Sequence, residues 1–211
     1  MWVWFLAVLI VSYLIGCLHG SVVAGKLTGI NLKETGVKNA GASNATIVLG
    51  KKYGALVAAI DIGKGACVIL LLGTLLALTA YPPSFISLLL FIAGAAVVLG
   101  HIFPFYMNFN GGKGTATIIG VLLALNWKLG LLAFALFVIV TLVSDFIVIG
   151  VFTLYLSLIV IALWKYPGIW TLFISIGLLF IAIIKHLENF KRMKRGEESR
   201  VSSVFRKKIP Q

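Results

Sequence analysis

Charged residues are scarce in this 211-residue chain, and acidic residues are the scarcest. Only 11% of the residues are charged, against about 25% in typical soluble domains. The mean hydropathy of +1.09 comes from hydrophobic runs along the whole chain, which predicts several membrane spans rather than a secreted protein with one leader segment. Only two cysteines, Cys17 and Cys67, are present, which excludes a disulfide framework and a cysteine-based metal site.

Basic residues are the exception to this scarcity, since 18 Lys plus Arg against six Asp plus Glu give a net charge of +12. In a soluble protein that charge would suggest a nucleic-acid partner. Here the Lys and Arg that collect in cytoplasmic loops of membrane proteins explain it. We expect no nucleic-acid partner, because the basic tail adjoins a hydrophobic run and has no interleaved stacking aromatics.

The hydrophobic runs predict an all-α integral membrane protein with about seven transmembrane helices. With the N-terminus outside and the C-terminus cytoplasmic, sixteen basic residues face one side, and only Lys128 and Lys165 face the other. Joining the short fourth and fifth runs would instead place the basic tail outside, so we expect a hairpin around Asn126. We divide the chain into a membrane domain, 1–190, and a basic cytoplasmic tail, 191–211. The seven runs are 2–25, 54–80, 85–100, 115–125, 129–143, 146–163 and 169–184.

Three polar segments interrupt the hydrophobic pattern, and the predicted topology places all three at the cytoplasmic face. The first is a loop in which glycine and asparagine permit backbone N–H groups to point at an anion. An ordinary polar turn is the alternative. Asp61 and Lys64 follow in the next run, three residues apart, and are expected to pair with each other. The loop residues are Lys38, Asn39, Gly41, Ser43 and Asn44.

The second segment joins His101 to a glycine-rich loop that opens a helix. Such a loop offers free N–H donors and a favourable dipole, and Lys113 adds a point charge, so the pattern favours a phosphate site. It is not a Walker A loop, because Met107 replaces the first glycine and Gly114 replaces the Ser or Thr. A structural glycine turn is the alternative. The loop residues are Gly111, Gly112, Lys113, Gly114 and Thr115.

The third segment ends the last run, where His186 and Asn189 share one helical face. The basic residues that follow are typical of a stop-transfer cluster. No nucleophile elbow or paired-histidine metal motif occurs in the sequence, so neither metal catalysis nor a covalent acyl-enzyme is supported. We expect no metal and no cofactor. The remaining chemistry is positioning, charge stabilisation and one proton transfer beside the lipid.

These motifs resemble those of the bacterial acyl-phosphate:glycerol-3-phosphate acyltransferase family, PlsY, over essentially the whole chain. The stretch from Gly100 through Thr117 is similar to the second family motif almost residue for residue. Residues Asn39 to Asn44 resemble the first family motif, with Ser43 where threonine is usual. The third resembles His186, Glu188, Asn189, Arg192, Gly196 and Glu197.

The resemblance implies a seven-span enzyme of the bacterial plasma membrane whose active site faces the cytoplasm. It implies transfer of a fatty acyl group from acyl phosphate to the 1-hydroxyl of glycerol 3-phosphate, yielding lysophosphatidic acid. The partners would be these two substrates and membrane lipid. Because an acyl phosphate is already activated, no cofactor and no enzyme nucleophile are required.

The resemblance also implies roles for the individual residues. The loops around Asn39 and Lys113, with His101, would hold the phosphates. His186 or the substrate's own phosphate would accept the hydroxyl proton, and Asn189 would orient the glycerol. Glu188 or Glu197 would steady the tail.

The chain departs from the family pattern at several positions. Val37 and Lys38 replace a serine and a glycine, and Ile47 replaces an arginine. Cys17 and His19 replace a serine and a proline. Lys38 would restore charge but not the bidentate geometry of arginine. A transporter of anions or phosphate esters, or a non-catalytic paralogue, is therefore kept as an alternative.

Overall fold

The computed structural model describes residues 2–166 and 168–205, and these residues form helices and short connections without strands. This confirms the predicted all-α class. A short 3₁₀ turn, Phe105–Met107, lies between the fifth and sixth α-helices. The α-helices in the described residues are α1 (Trp2–Gly16), α2 (Gly20–Thr28), α3 (Ala42–Leu49), α4 (Lys51–Ala77), α5 (Pro83–Ile102), α6 (Thr115–Leu125), α7 (Trp127–Ser144), α8 (Ile147–Lys165), α9 (Ile169–Lys194) and α10 (Val201–Phe205).

Six helical segments in the described residues are long and apolar enough to cross a membrane. The first of them, Val3–Thr28, joins α1 and α2 across a break at Cys17–His19. Helix α6 corresponds to the short fourth run, 115–125, and is not one of these six segments. Its 11 residues give a length of about 16 Å, roughly half the hydrocarbon core of a bilayer. The count of seven crossings and the orientation of the termini stay predictions.

The break between α1 and α2 frees backbone carbonyls that other segments use. Tyr106 Oη donates to the Cys17 carbonyl at 2.6 Å, and Lys64 Nζ donates to the Leu18 carbonyl at 2.6 Å. In a membrane such carbonyls must find partners within the protein. The break therefore fastens the end of α1 to the α5–α6 connection and to α4.

The turn predicted around Asn126 is present. Asn126 alone connects α6 with α7, and its Oδ1 accepts a hydrogen bond from the Leu129 N–H at 3.1 Å, which caps α7. Tyr166 Oη donates to the Leu125 carbonyl, so the end of α6 lies level with the end of α8.

The three polar segments lie at the opposite end of the bundle from Asn126 and meet there, as predicted. Lys33, in the connection between α2 and α3, contacts the carbonyl of Asn110 in the connection between α5 and α6. Lys113 in that same connection contacts Asn189 near the end of α9. The connections and the last helix therefore enclose one region.

Helices α4 and α6 pack closely because small residues face the neighbouring backbone. A Cβ atom at Gly65 would collide with the Thr117 carbonyl, and one at Gly120 would collide with the Ile62 carbonyl. Close backbone approach of this kind replaces the hydrophobic drive that helices lack in lipid. It places the start of α6, which carries the glycine-rich loop, against α4.

We expect Gly65→Ala to lower the thermal midpoint of the purified protein, because the added methyl group must displace backbone. Overpacking of this kind costs about 1–3 kcal/mol. Gly63→Ala is the matched control, since a Cβ there meets nothing within 4 Å. Equal midpoints for the two variants, measured by a thermal unfolding assay in detergent, would contradict the close α4–α6 contact.

Candidate active site

The glycine-rich loop is fastened to the end of α5 through its backbone. The Gly111 N–H donates to the Ile102 carbonyl at 3.0 Å, and the Gly112 N–H donates to the His101 carbonyl at 3.1 Å. Gly114 has a left-handed backbone, φ 85°, and caps the start of α6. A Cβ there would also come within 3.0 Å of Tyr155 Oη, so both conformation and space favour glycine.

Lys113 connects this loop to the end of α9. Its ammonium group donates to Asn189 Oδ1. Asn189 Nδ2 in turn donates to Glu198 Oε1 at 2.6 Å, and the other oxygen of Glu198 pairs with Arg192 Nε at 2.7 Å. These four side chains form a continuous polar chain beside the start of α6, where the first N–H groups of the helix lack helical acceptors.

His186 lies one turn before Asn189 on α9 and is 3% exposed. Its Nδ1 lies 2.8 Å from the Ala182 carbonyl, which can only accept, so the ring carries its proton on Nδ1. The edge of the ring packs on Phe152, with the ring centroids 5.9 Å apart. Nε2 is therefore the nitrogen that can accept a proton.

The ammonium group of Lys113 is perturbed by its surroundings. Burial, the largest cause, acts together with the nearby positive charges of Arg192 and Lys185 to lower the pKa of Lys113 to about 8, while Glu198 and Glu188 oppose the change. An anion bound at this loop would favour the charged form of the lysine. The charged form of Lys113 is therefore more favourable with a phosphate bound at the loop than with no anion there.

Asp61 and Lys64 pair as predicted, but deep in the protein and together with His101. Lys64 Nζ lies 3.0 Å from Asp61 Oδ1 and 2.9 Å from His101 Nδ1. His101 is 2% exposed, and its ring lies against Gly112, where any side chain would collide with it. The predicted role of His101 in phosphate binding stays a prediction; in the structure its ring lies against the glycine-rich loop and supports it.

His19 joins the same cluster, which sequence reasoning missed. Its ring stacks on that of His101, with centroids 4.6 Å apart and planes 22° apart. His19, Asp61 and His101 bring possible metal ligands within 4.8 Å of one another. The Lys64 ammonium already lies against Asp61 and His101, and its charge disfavours a metal ion there.

The first predicted motif is organised around Asn44. The Asn44 amide donates to the carbonyls of Leu32, Thr35 and Asn39 at 2.8–3.0 Å and accepts from the Val37 N–H at 2.9 Å. Its side chain is thus occupied within the loop rather than available to a substrate.

The other residues of this motif surround Asn44. Gly41 caps α3, Asn39 is partly buried, and Ser43 is exposed. Lys38 is exposed and has a left-handed backbone, φ 53°. The loop reaches the glycine-rich loop through Lys33, which contacts Asn110.

Glu188, in the last part of α9, and Glu197, after it, both contact Arg195 at the exposed surface, at 3.3 and 2.8 Å. The acidic residue within the polar chain is instead Glu198, which sequence reasoning missed. Gly196 has a left-handed backbone, φ 73°, that turns the chain back, so Glu198 returns to Asn189. Helix α9 continues to Lys194, beyond the boundary at 190 that we predicted for the tail.

Asp145, between α7 and α8, holds the segment that follows Glu198. It accepts hydrogen bonds from the Ser202 N–H at 2.7 Å and the Ser202 hydroxyl at 2.8 Å, and Arg200 lies 3.8 Å away. These contacts keep the tail folded over the polar chain. Residues 206–211, which complete the predicted tail, lie outside the described residues.

Comparison with known proteins relates this chain to one protein family. The glycerol-3-phosphate acyltransferase family model matches residues 6–196. The chain belongs to this family. It is 42% identical to glycerol-3-phosphate acyltransferase 1 of Oceanobacillus iheyensis, over 94% of this chain and 96% of that protein. It is 34% identical to the glycerol-3-phosphate acyltransferase of a Thermoanaerobacter strain, over 91% of this chain and 93% of that protein.

Solved structures of the family share the fold. The glycerol 3-phosphate form of PlsY (YgiH), an integral membrane glycerol 3-phosphate acyltransferase, aligns with a TM-score of 0.82 and 33% identity. That alignment covers 95% of this chain and 97% of PlsY. The lysophosphatidic acid form aligns with a TM-score of 0.80 and 32% identity, covering 95% of this chain and 98% of PlsY. The predicted resemblance to PlsY and the predicted integral membrane fold are confirmed.

We expect Asp61→Asn to lower the thermal midpoint strongly, because it leaves the buried Lys64 ammonium without its counter-charge. Breaking a buried pair costs about 3–5 kcal/mol. The double variant Asp61→Leu with Lys64→Met removes both charges and should recover part of the loss. Glu34→Gln, an exposed carboxylate bonded to Asn31, is the control. A single variant as stable as this control would show that the pair contributes nothing.

Proposed function

We propose that this protein transfers a fatty acyl group from acyl phosphate to the 1-hydroxyl of glycerol 3-phosphate and forms lysophosphatidic acid. The observation that carries the proposal is the contact between Lys113 and Asn189, which brings a phosphate-type loop beside His186. The family relationship and the likeness to PlsY with glycerol 3-phosphate or lysophosphatidic acid support the same reaction. We place the reaction at the cytoplasmic face of a bacterial plasma membrane, where the positive-inside rule puts these loops.

The reaction needs one bond made and one broken. The hydroxyl oxygen of the glycerol attacks the acyl carbonyl carbon, and the bond between that carbon and the phosphate oxygen breaks, so inorganic phosphate leaves. Lys113 and the N–H groups at the start of α6 stabilise the negative charge that develops on the phosphate and the carbonyl oxygen. His186 Nε2 or the substrate's phosphate takes the hydroxyl proton, and Asn189 orients the glycerol. The mixed anhydride supplies the driving force, so the protein's residues need no cofactor for this step.

The alternatives receive less support from the site. The buried ionisable residues of the spans, Asp61, Lys64 and His101, pair with one another beneath the glycine-rich loop, whereas a transport path needs groups open to a cavity. The one observation that favours a non-catalytic paralogue is the sequence itself. Val37 and Ile47 stand where the family resemblance places a serine and an arginine.

The purified protein should form radiolabelled lysophosphatidic acid from palmitoyl phosphate and radiolabelled glycerol 3-phosphate. We expect Lys113→Ala to lower kcat/KM by about 100- to 1,000-fold, because a charge that stabilises the transition state is lost. Lys128→Ala, a lysine at the opposite end of the bundle, is the matched control and should be fully active. Palmitoyl-coenzyme A should not replace palmitoyl phosphate.

Two results would contradict the proposal. One is folded protein that yields no product with either donor. The other is Lys113→Ala activity equal to that of Lys128→Ala. Folding of each variant is checked by its thermal midpoint, so a lost reaction is not confused with a lost structure.

The pH dependence gives a second test of Lys113. Burial lowers the pKa of Lys113 to about 8, so its positive charge is complete well below pH 8 and is lost as the pH rises through about 8. Phosphate monoesters have a second pKa of about 6 and stay doubly charged over that range. We expect KM for the phosphate-bearing substrates to rise above pH 8. Lys113→Arg, which stays charged, should give a KM that does not change between pH 7 and pH 9.

A further inference from the structure

A polar cleft lies beside the glycine-rich loop, and the proposed reaction assigns no role to the residues that line it. It lies between the connection that leads to α3 and the 3₁₀ turn after α5, and its volume is about 460 Å³, within the range of small-molecule sites. It adjoins the loop because Asn110 directly precedes Gly111. The lining residues are Asn31, Lys33, Glu34, Met107, Asn108 and Asn110.

Lys33 is the cation of this cleft and is held in place there. Its ammonium contacts the Asn110 carbonyl, and its backbone N–H donates to Asn31 Oδ1 at 3.0 Å. An ammonium group has three donors, so two remain for a ligand. Glu34, the acidic residue of the cleft, accepts from Asn31 Nδ2 at 2.7 Å and forms no ion pair with Lys33 within residues 2–166 and 168–205.

Lys185, on α9, is a second cation near Lys33. Its ammonium lies over the ring of Phe103, 5.1 Å from the centroid, at the start of the connection that ends in the glycine-rich loop. It is close enough to Lys33 and to Lys113 for their charges to repel. Over the part of the chain that the structure describes, no carboxylate lies within ion-pair distance of Lys33, Lys113 or Lys185.

Three neighbouring lysines without a carboxylate partner favour the binding of an anion, since like charges without counter-ions repel one another. The fourth nearby cation, Arg192, is already neutralised by Glu198. Lys38, predicted to restore the charge of the missing arginine, is exposed. Ile47, at the arginine position, is 44% exposed. Lys33 and Lys185 are therefore the cations left to bind this anion beside Lys113.

We propose that Lys33, which lines this cleft, and Lys185, which lies over Phe103 on α9, together bind the phosphate monoester of one of the two substrates. This proposal rests on the proposed function and specifies how this chain holds a second phosphate without the arginine at position 47. The chemistry recognised is a terminal phosphate dianion. Glycerol 3-phosphate and acyl phosphate both carry one, so the experiment has an arm for each.

The test compares Lys33→Gln and Lys185→Gln with Lys128→Gln, an exposed lysine at the opposite end of the bundle. The variants are studied in nanodiscs of neutral phosphatidylcholine so that anionic headgroups do not compete. Equilibrium dialysis measures the Kd of radiolabelled glycerol 3-phosphate, and steady-state kinetics measure KM and kcat for palmitoyl phosphate and for glycerol 3-phosphate. A hydrogen bond to a charged group contributes about 1.5–3 kcal/mol, which corresponds to a factor of about 10 to 100.

We expect Lys33→Gln and Lys185→Gln to raise Kd or KM for one substrate at least tenfold, with a much smaller change in kcat. Lys33→Arg should keep most of the affinity, and Lys128→Gln should stay within twofold of the unaltered protein. The substrate whose constant rises identifies the phosphate that the cleft binds.

The outcomes separate this inference from the proposed function. If Lys33→Gln matches Lys128→Gln in every arm, or if the change falls on kcat alone, the cleft is not a phosphate site. If the unaltered protein binds glycerol 3-phosphate but forms no lysophosphatidic acid, the proposed acyl transfer fails while dialysis still tests Lys33. If it neither binds glycerol 3-phosphate nor uses palmitoyl phosphate, both are overturned.

Discussion

The ion pair of Asp61 and Lys64, buried with His101, is the interaction on which the site depends. It lies where α4, α5 and the broken first span meet, and the glycine-rich loop rests on the His101 ring. A charge in a membrane protein is costly unless it is paired, so this cluster fixes how α4 and α5 sit relative to each other. The position of Lys113 follows from that packing, because its loop is bonded to the last carbonyls of α5.

The other wall of the site depends on the end of α9 and the turn at Gly196. Asn189 receives Lys113 on one side and donates to Glu198 on the other, and Arg192 balances the charge of Glu198. Asp145 then holds the next residues through Ser202. A loop between two spans and a segment beyond the last span thus stabilise a polar chain that neither could form alone.

Much of this arrangement could be predicted from sequence, because composition and charge asymmetry act on whole segments. The hydrophobic runs predicted the helices, and the distribution of Lys and Arg predicted that three polar segments meet. Side-chain direction could not be predicted in the same way. Asn44 turns inward to bond its own loop, and His101 faces Lys64, because tertiary neighbours decide which way a polar group points.

Two further residues escaped prediction for physical reasons. His19 is a lone histidine in an apolar run, and only the break between α1 and α2 brings it onto His101. Glu198 differs from Glu197 only through the left-handed turn at Gly196, which sets the side of the chain that returns to Asn189. A one-residue choice of this kind depends on a backbone angle and not on residue type.

The short length of α6 has a consequence for how two unlike substrates meet. Helix α6 ends level with α8 through the contact of Tyr166 with Leu125, yet it has 11 residues against 19. Helix α6 is therefore about 12 Å shorter than α8, so the first residue of α6 lies deeper in the membrane than the first residue of α8. The glycine-rich loop at the start of α6 therefore lies closer to the hydrocarbon core of the bilayer. The fatty chain of one substrate can therefore stay in the bilayer while its polar end lies in the site. The water-soluble substrate must enter the membrane region from the aqueous side to meet it. The depth of the site below the membrane surface then depends on bilayer thickness, which makes thickness a factor in the reaction.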